Sequence, residues 1–129
     1  MMIEVDLMKG LAILLGLAVL VLAAVSGLLL IFYRSSKLLC RRYIVRGRVQ
    51  GVGFRWFVQR EAQILDVAGW VRNNFDGAVE VLAMGSEQQL KSFSAKLNSG
   101  PRAARVDVVE ETAAALVEGL NSFRIEGAW

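Results

Sequence analysis

The N-terminal part of the chain is one long apolar segment. Residues 10–33 carry no charged side chain, and their many Leu, Ala, Val, Ile and Gly residues occupy every face of a helix. Such a helix is about 36 Å long, which is enough to cross a hydrocarbon core of about 30 Å. The pattern therefore predicts a transmembrane helix at residues 10–33, after a short head at residues 1–9 and before a basic linker at residues 34–38.

A cleavable signal peptide is the alternative interpretation of this segment. Signal peptides begin with basic residues and have an apolar region of only about 7–15 residues. Here Glu4 and Asp6 outweigh Lys9 before the apolar run, and the run itself is longer. These features favour an uncleaved membrane anchor.

The charges that flank the anchor predict its orientation. Arg34, Lys37, Arg41 and Arg42 follow the apolar run, whereas the head is close to neutral. Because Lys and Arg residues accumulate on the cytoplasmic side of membrane helices, we expect the C-terminal domain in the cytoplasm and the head outside.

The remaining residues, 39–129, show the spacings of one α+β domain. In chain order, the periodicity predicts a strand at residues 40–49, a helix at 54–65, strands at 69–73 and 78–84, a helix that starts after Ser86 and stops at Gly100, a strand at Val106 and Val108, and a short strand at Phe123 and Ile125. Residues 112–119 receive no assignment. The order β-α-β-β-α-β with one added strand predicts a ferredoxin-like sandwich, in which two helices cover one face of an antiparallel sheet.

Two local signals support this order of elements. Asp76-Gly77 favours a hairpin turn between the second and third strands. Ser86 and Gln89 have the spacing of a capping box, which predicts the start of the second helix. The ferredoxin-like fold hosts many unrelated functions, so the activity has to be inferred from the site.

Composition then removes several kinds of chemistry. The sequence has no His and a single Cys, which excludes a Ser-His-Asp triad, a Cys-His pair, His-ligated zinc and an intramolecular disulfide. Residues 38–129 contain 12 Lys and Arg and 10 Asp and Glu, a net charge of +2, which argues against a nucleic-acid partner. An RNA-binding domain of this fold needs exposed aromatic residues on its sheet, for which Tyr43 is the candidate.

The junction between the first strand and the first helix is the most informative place for chemistry. Gly51 and Gly53 let the backbone turn so that successive N–H groups point into one hollow, and the first helical turn adds further unpaired N–H groups. Arg55 in that turn can present two parallel donors to a phosphate. The same pattern also fits an ordinary tight turn before a solvated Arg, and no Walker or G-x-G-x-x-G pattern is present.

Asn73, at the end of the second predicted strand, is the other candidate. In this element order the second strand can run near the first, and the Asn73 amide can then hold a water close to a bound phosphate. Alternatively, Asn73 helps Asn74 and Asp76 to form the hairpin turn, which is the commoner role of Asn. The residues alone leave both interpretations open.

Two motifs resemble those of a known family. Residues 47–55, Gly-Arg-Val-Gln-Gly-Val-Gly-Phe-Arg, are similar to the signature of the acylphosphatases, and residues 69–73, Gly-Trp-Val-Arg-Asn, resemble their second signature. Further similar positions are Gly77, Val79, Gly85, Gly100-Pro101 and Phe123-x-Ile125. The resemblance covers residues 39–129, so the membrane helix is an addition to a family of small soluble proteins.

The resemblance implies hydrolysis of the carboxyl-phosphate bond of acyl phosphates without a metal, a cofactor or a covalent intermediate. Carried over by position, Arg55 is the expected catalytic arginine, and Asn73 is the expected catalytic asparagine that orients a water. The expected phosphate-binding residues are Gln50, Gly51, Val52, Gly53, Phe54 and Arg55. We expect the soluble domain to be monomeric. The alternative is a catalytically silent, membrane-tethered module that binds phosphate or an acyl phosphate as a sensor or adaptor.

Overall fold

The computed structural model describes residues 2–127, and the chain divides into two units between Ser35 and Ser36. The first unit is made by one helix, α1 (Met2–Ser36). Its segment Glu4–Phe32 has a mean hydropathy of 2.8 and no buried residue, so by length and composition it is able to cross a membrane. The helix is longer than the predicted span of residues 10–33, because it also includes most of the predicted head (residues 1–9) and the start of the predicted linker (residues 34–38).

The second unit contains seven elements in the predicted order. They are β1 (Leu39–Arg48), α2 (Phe54–Ile64), β2 (Ala68–Asn73), β3 (Val79–Gly85), α3 (Glu87–Ser99), β4 (Arg105–Ala113) and β5 (Phe123–Ile125). The predicted capping box is confirmed at the start of α3. The amide of Gln89 donates to Ser86 Oγ over 3.2 Å, and the amide of Ser86 donates to Gln89 Oε1 over 2.8 Å.

The five strands form one sheet in the order β4-β1-β3-β2-β5. The pairs β1–β3, β1–β4 and β2–β3 are antiparallel, as predicted. β5 instead runs parallel to β2, so the expectation of an antiparallel sheet holds for four strands and the fifth makes the sheet mixed. β4 ends at the edge of the sheet where β2 begins, and the chain between Ala113 and Phe123 passes from one side of the sheet to the other, so it enters β5 in the direction of β2.

Both helices of the second unit pack on one face of the sheet. The buried residues of this core include Tyr43, Val45, Phe54, Val58, Val71, Val79, Val81, Ala83, Leu90, Phe93, Leu97 and Phe123. Tyr43, the aromatic candidate for RNA binding, is fully buried, and its ring meets that of Phe93 edge-on at 5.8 Å between centroids. A side chain in that position cannot stack on a base.

The opposite face of the sheet is covered by the connection between β4 and β5. Cys40, Leu82 and Met84 are buried there, and Trp70, Ala114 and Leu120 pack against them. This finding explains the stretch that received no assignment from the sequence. β4 runs as far as Ala113, and the following residues cross the sheet as irregular chain that covers its apolar positions.

Gly69 marks the closest approach between two strands. A Cβ atom at this position would lie 1.9 Å from the carbonyl oxygen of Leu82 in β3. No side chain fits in that distance, so β2 and β3 pair in this register only with a glycine there.

Glu80 is a buried carboxylate in the central strand β3, where it is 2% exposed. Arg72 Nη2 donates to its Oε1 over 2.8 Å, and Arg42 forms an ion pair with its Oε2. Burial opposes ionisation, but the side chains of Arg72, Arg42 and Asn74 together outweigh it and hold the pKa of Glu80 below its ordinary value. Glu80 therefore stabilises the folded state above that ordinary pKa, and its contribution is lost as the pH falls through the lowered pKa.

We expect Glu80→Gln to lower the free energy of unfolding at pH 7 by about 1–3 kcal/mol, because two cations lose their shared buried partner. The variant and the unmodified chain should converge in stability as the pH falls below the lowered pKa of Glu80. Urea unfolding of the detergent-solubilised chain measures this, since all three Trp residues lie in the second unit and report on it alone.

The control for this prediction is Glu110→Gln, which removes an exposed carboxylate paired with Arg46 at 3.4 Å. An exposed pair contributes only about 0–1 kcal/mol. Equal losses in the two variants, or a loss in Glu80→Gln that does not change with pH, would contradict the assignment.

Candidate active site

Three strand ends meet at one edge of the sheet. β1 and β2 both run antiparallel to β3, which lies between them, and β5 runs parallel to β2. The C-terminal ends of all three strands therefore reach the same edge. β1 and β2 are not neighbours, but their common direction is enough to bring the loop after β1, Asn73 after β2 and Glu126 after β5 together.

The loop between β1 and α2 has the geometry of an anion-binding turn. Gly51 and Gly53 both have a left-handed backbone, with φ values of 72° and 74°. Gly53 is the N-cap of α2, and no side chain caps the first turn of that helix. A Cβ atom on either glycine would meet nothing within 4 Å, so both positions border open space. The N–H groups of this turn are thus available to an anion.

The loop and Asn73 line one cleft of about 430 Å³. Its lining residues are Val49, Gln50, Gly51, Gly53, Phe54, Arg55, Trp56 and Asn73. Six of the seven predicted site residues therefore line the cleft. The seventh, Val52, does not, because its side chain packs against the hydrophobic core. Phe54 is 1% exposed, so its side chain belongs to the core. Trp56 was missed by the sequence interpretation, although its place outside the apolar stripe of α2 is a usable signal.

Arg55 is held in the cleft by the C-terminal segment. β5 carries the chain along β2, where the amide of Glu126 donates to the carbonyl of Val71 over 2.8 Å. Arg55 Nη1 then donates to the carbonyl oxygens of Glu126 and Gly127, over 3.2 Å in each case. These two bonds use one nitrogen of the guanidinium. The Nε–Nη2 edge takes no part in them, and it has two parallel N–H donors.

The side chain of Asn73 has a buried hydrogen-bond acceptor. Its Oδ1 atom has no hydrogen-bond partner within residues 2–127. The hairpin turn closes without it, because the amide of Asn74 donates to the carbonyl of Ala78 over 2.8 Å and Asp76 Oδ1 accepts from the amide of Ala78 over 3.0 Å. Buried polar atoms are normally paired. An unpaired acceptor on the wall of a cleft is suited to a ligand or a water.

Gln50 connects the loop to the hairpin that follows Asn73. Its Nε2 donates to the carbonyl oxygens of Asn74 and Ala78, over 2.8 Å and 2.9 Å. The side-chain amide is therefore occupied by the protein, which leaves the backbone of Gln50 for an anion. Through these bonds Gln50 fixes the distance between the loop and Asn73.

The cleft is positively charged. Arg55 is the only ionisable side chain among the described residues that line it, and the N-terminus of α2 adds the positive end of the helix dipole. The described part of the chain contains no group of three or more His, Cys, Asp or Glu residues that could hold a metal ion. The described residues of the cleft therefore favour anions.

These features define the class of protein: a ferredoxin-like α+β sandwich with a cleft suited to anions at one edge of its sheet. Residues 41–125 match the family model for acylphosphatase, and the chain belongs to the acylphosphatase family. The resemblance inferred from the sequence and the expected fold are both confirmed.

Individual relatives agree with this assignment. An acylphosphatase from Koribacter versatilis is 61% identical over 89 residues, which are 69% of this chain and 81% of that protein. The crystal structure of acylphosphatase from Bacillus subtilis aligns with 70% of this chain over 100% of the Bacillus chain, with 45% sequence identity and a TM-score of 0.67. An acylphosphatase from Coxiella burnetii matches 69% of this chain and 93% of its own, with 35% identity and a TM-score of 0.65. The protein is an enzyme of this family, and acyl phosphate hydrolysis is its activity.

We expect Gln50→Ala to lower kcat/KM for an acyl phosphate by about tenfold to a hundredfold, because the loop and Asn73 lose the side chain that sets their separation. The free energy of unfolding should fall by only about 0.5–1.5 kcal/mol for each hydrogen bond lost. Steady-state hydrolysis of benzoyl phosphate and urea unfolding measure the two effects. Gln88→Ala, on the exposed side of α3, is the control and should change neither.

Proposed function

We propose that the loop and Arg55 hold the phosphoryl group of an acyl phosphate while Asn73 orients the attacking water. The observation that supports this proposal is that three kinds of polar group lie together in one cleft. A turn of backbone donors, a guanidinium with an edge outside its protein contacts, and a buried acceptor without a partner in the described residues all line the same 430 Å³.

Binding of the phosphoryl group uses the donors around Gly51 and Gly53 together with the Nε–Nη2 edge of Arg55. A guanidinium pairs with two phosphate oxygens at once in a specific geometry, and a lysine cannot reproduce this bidentate contact. The carbonyl oxygens of Glu126 and Gly127 fix the other side of the guanidinium. Arg55 is therefore oriented before the substrate arrives, as electrostatic catalysis requires.

Asn73 supplies the acceptor for a water. A water that donates one hydrogen to Oδ1 of Asn73 has a lone pair directed away from that bond, toward the phosphorus in the cleft. The water oxygen forms the new P–O bond as the bond between phosphorus and the acyl oxygen breaks. The electron pair of the broken bond leaves with the carboxylate, and a water proton passes to a phosphoryl oxygen.

This chemistry needs no acid from the protein, because a carboxylate is a good leaving group. Positioning and charge stabilisation of the equatorial oxygens supply the catalysis. A cleft in which Arg55 is the only ionisable side chain among the described lining residues matches that requirement.

Arg55→Ala and Asn73→Ala are each expected to lower kcat for benzoyl phosphate by about 100- to 1,000-fold, since each removes a preorganised group that acts on the transition state. The assay uses the full chain in detergent, with EDTA present and no metal added. Arg105→Ala and Asn98→Ala are matched controls at exposed positions outside the cleft, and both should retain full activity.

The outcomes of this assay separate the rival functions. Near-normal turnover by a folded Arg55→Ala protein would contradict the role of Arg55. Binding of inorganic phosphate without turnover of benzoyl phosphate by the unmodified chain would favour the silent sensor or adaptor module. Activity that disappears with EDTA and returns with a divalent metal would overturn the metal-independent step.

We also propose that α1 anchors the enzyme in a membrane, with residues 10–33 as the span and the domain at residues 39–129 on the cytoplasmic side. No residue of the segment Glu4–Phe32 is buried. So large an exposed apolar surface is unfavourable in water and is stabilised by lipid. The basic residues that follow the span support the cytoplasmic orientation. We also propose that the domain is monomeric.

We expect the full chain to sediment with membranes and a chain of residues 38–129 to remain in the supernatant. Protease added to intact spheroplasts should leave the domain undigested and should digest it after lysis. Intact mass measurement checks whether the helix is kept. A mature protein that starts within or after the apolar run would show that the segment is a cleaved signal, and digestion in intact spheroplasts would reverse the orientation.

A further inference from the structure

A second hollow adjoins the phosphate cleft. Its volume is about 440 Å³, and it is lined by Gly53, Trp56, Phe57, Gln59, Arg60, Gln63 and Pro101. Gly53 and Trp56 line the cleft as well, so the two cavities meet at these residues. Because Gly53 has no side chain and borders open space, nothing at that position closes the passage between them.

Trp56 stands at the junction with most of its indole in solvent. The side chain is 71% exposed, whereas α2 buries Phe54 and Val58 in the core. The packing of α2 therefore does not depend on Trp56. A large exposed aromatic ring beside a binding cleft is suited to stack on a planar or apolar part of a ligand.

Arg60 lies one helical turn beyond Trp56. Residues four apart share one side of a helix, and here they are separated by about 6 Å along the axis of α2. The Arg60 side chain is 69% exposed. Within the described residues it pairs with Glu61, whose Oε1 lies 3.7 Å from Nη2, which is too long for a hydrogen bond. Arg60 can therefore pair with an anion that enters the hollow.

We infer that this hollow binds the acyl group of the substrate, and that it favours an acyl group with an aromatic or apolar body and a second negative charge at its far end. The inference rests on the proposed function, because the acyl group reaches the hollow past Gly53 and Trp56, which line both cavities, when the phosphoryl group lies in the cleft. The body of the acyl group stacks on Trp56 between the apolar surfaces of Phe57 and Pro101. The distal charge reaches Arg60.

The test compares acetyl, benzoyl and 4-carboxybenzoyl phosphate as substrates of the full chain in detergent. Trp56→Ala should lower the ratio of kcat/KM for benzoyl over acetyl phosphate by about tenfold, and Trp56→Phe should restore most of it. Arg60→Gln should lower the ratio for 4-carboxybenzoyl over benzoyl phosphate by about threefold. Its ratio for benzoyl over acetyl phosphate should not change.

Two control variants match these substitutions. Ile64→Ala removes a 69% exposed apolar side chain from the end of the same helix, outside both cavities. Lys96→Gln removes an exposed positive charge from α3. Neither should alter the substrate ratios.

The outcomes separate this inference from the proposed function. Unchanged ratios in Trp56→Ala and Arg60→Gln would overturn the acyl site and leave the phosphate site standing. Equal losses for all three substrates in Trp56→Ala would assign Trp56 to the phosphate cleft and also overturn the acyl site. Failure of the unmodified chain to hydrolyse any of the three would overturn the proposed function itself.

Discussion

The pairing of β3 on both of its sides is the constraint on which the site depends. All seven residues of this strand are buried, and it runs antiparallel to β1 and to β2 at once. Two strands that are antiparallel to the same neighbour must share a direction, so the chain leaves β1 and β2 at the same edge of the sheet. β5 follows β2 in parallel and brings the C-terminal carbonyl groups to that edge. The cleft is therefore a product of strand direction, and it joins segments that are distant in sequence.

Much of the fold could be predicted because its signals are local. The alternation that places Val79, Val81 and Ala83 on one face agrees with their burial under the two helices. The capping box needs only residues three apart, and the glycines before α2 need only a positive φ. Arg55 and Asn73 are likewise candidates that short motifs predict, and the structure places both on the wall of one cleft. Local spacing and backbone geometry thus account for the elements and for the two principal candidates of the site.

The features that escaped prediction depend on contacts between distant residues. The parallel direction of β5 follows from the route of the preceding connection across the second face, which no periodicity encodes. The hydrogen bonds of Gln50 to the hairpin and of Arg55 to the C-terminal carbonyls join residues 24 to 72 positions apart. The position of Trp56 between two cavities depends on where the surface of α2 meets them. Such features arise only when the sheet has assembled, so a window of sequence does not contain them.

Gly69 and Asn73 lie at the two ends of one short motif, but different physical constraints act on them. Gly69 is required by the distance between β2 and β3, since any Cβ atom there would collide with the carbonyl oxygen of Leu82. The Oδ1 atom of Asn73 forms no hydrogen bond with the sheet or with the turn within residues 2–127. Under the proposed role of Asn73, a descendant that lost this asparagine would keep the glycine, the fold and most of its likeness to the family while its activity fell. A sequence signature of this kind therefore contains residues that the backbone geometry requires as well as residues that contribute to the site. Evolutionary loss of activity would be visible only at side chains that the fold does not require.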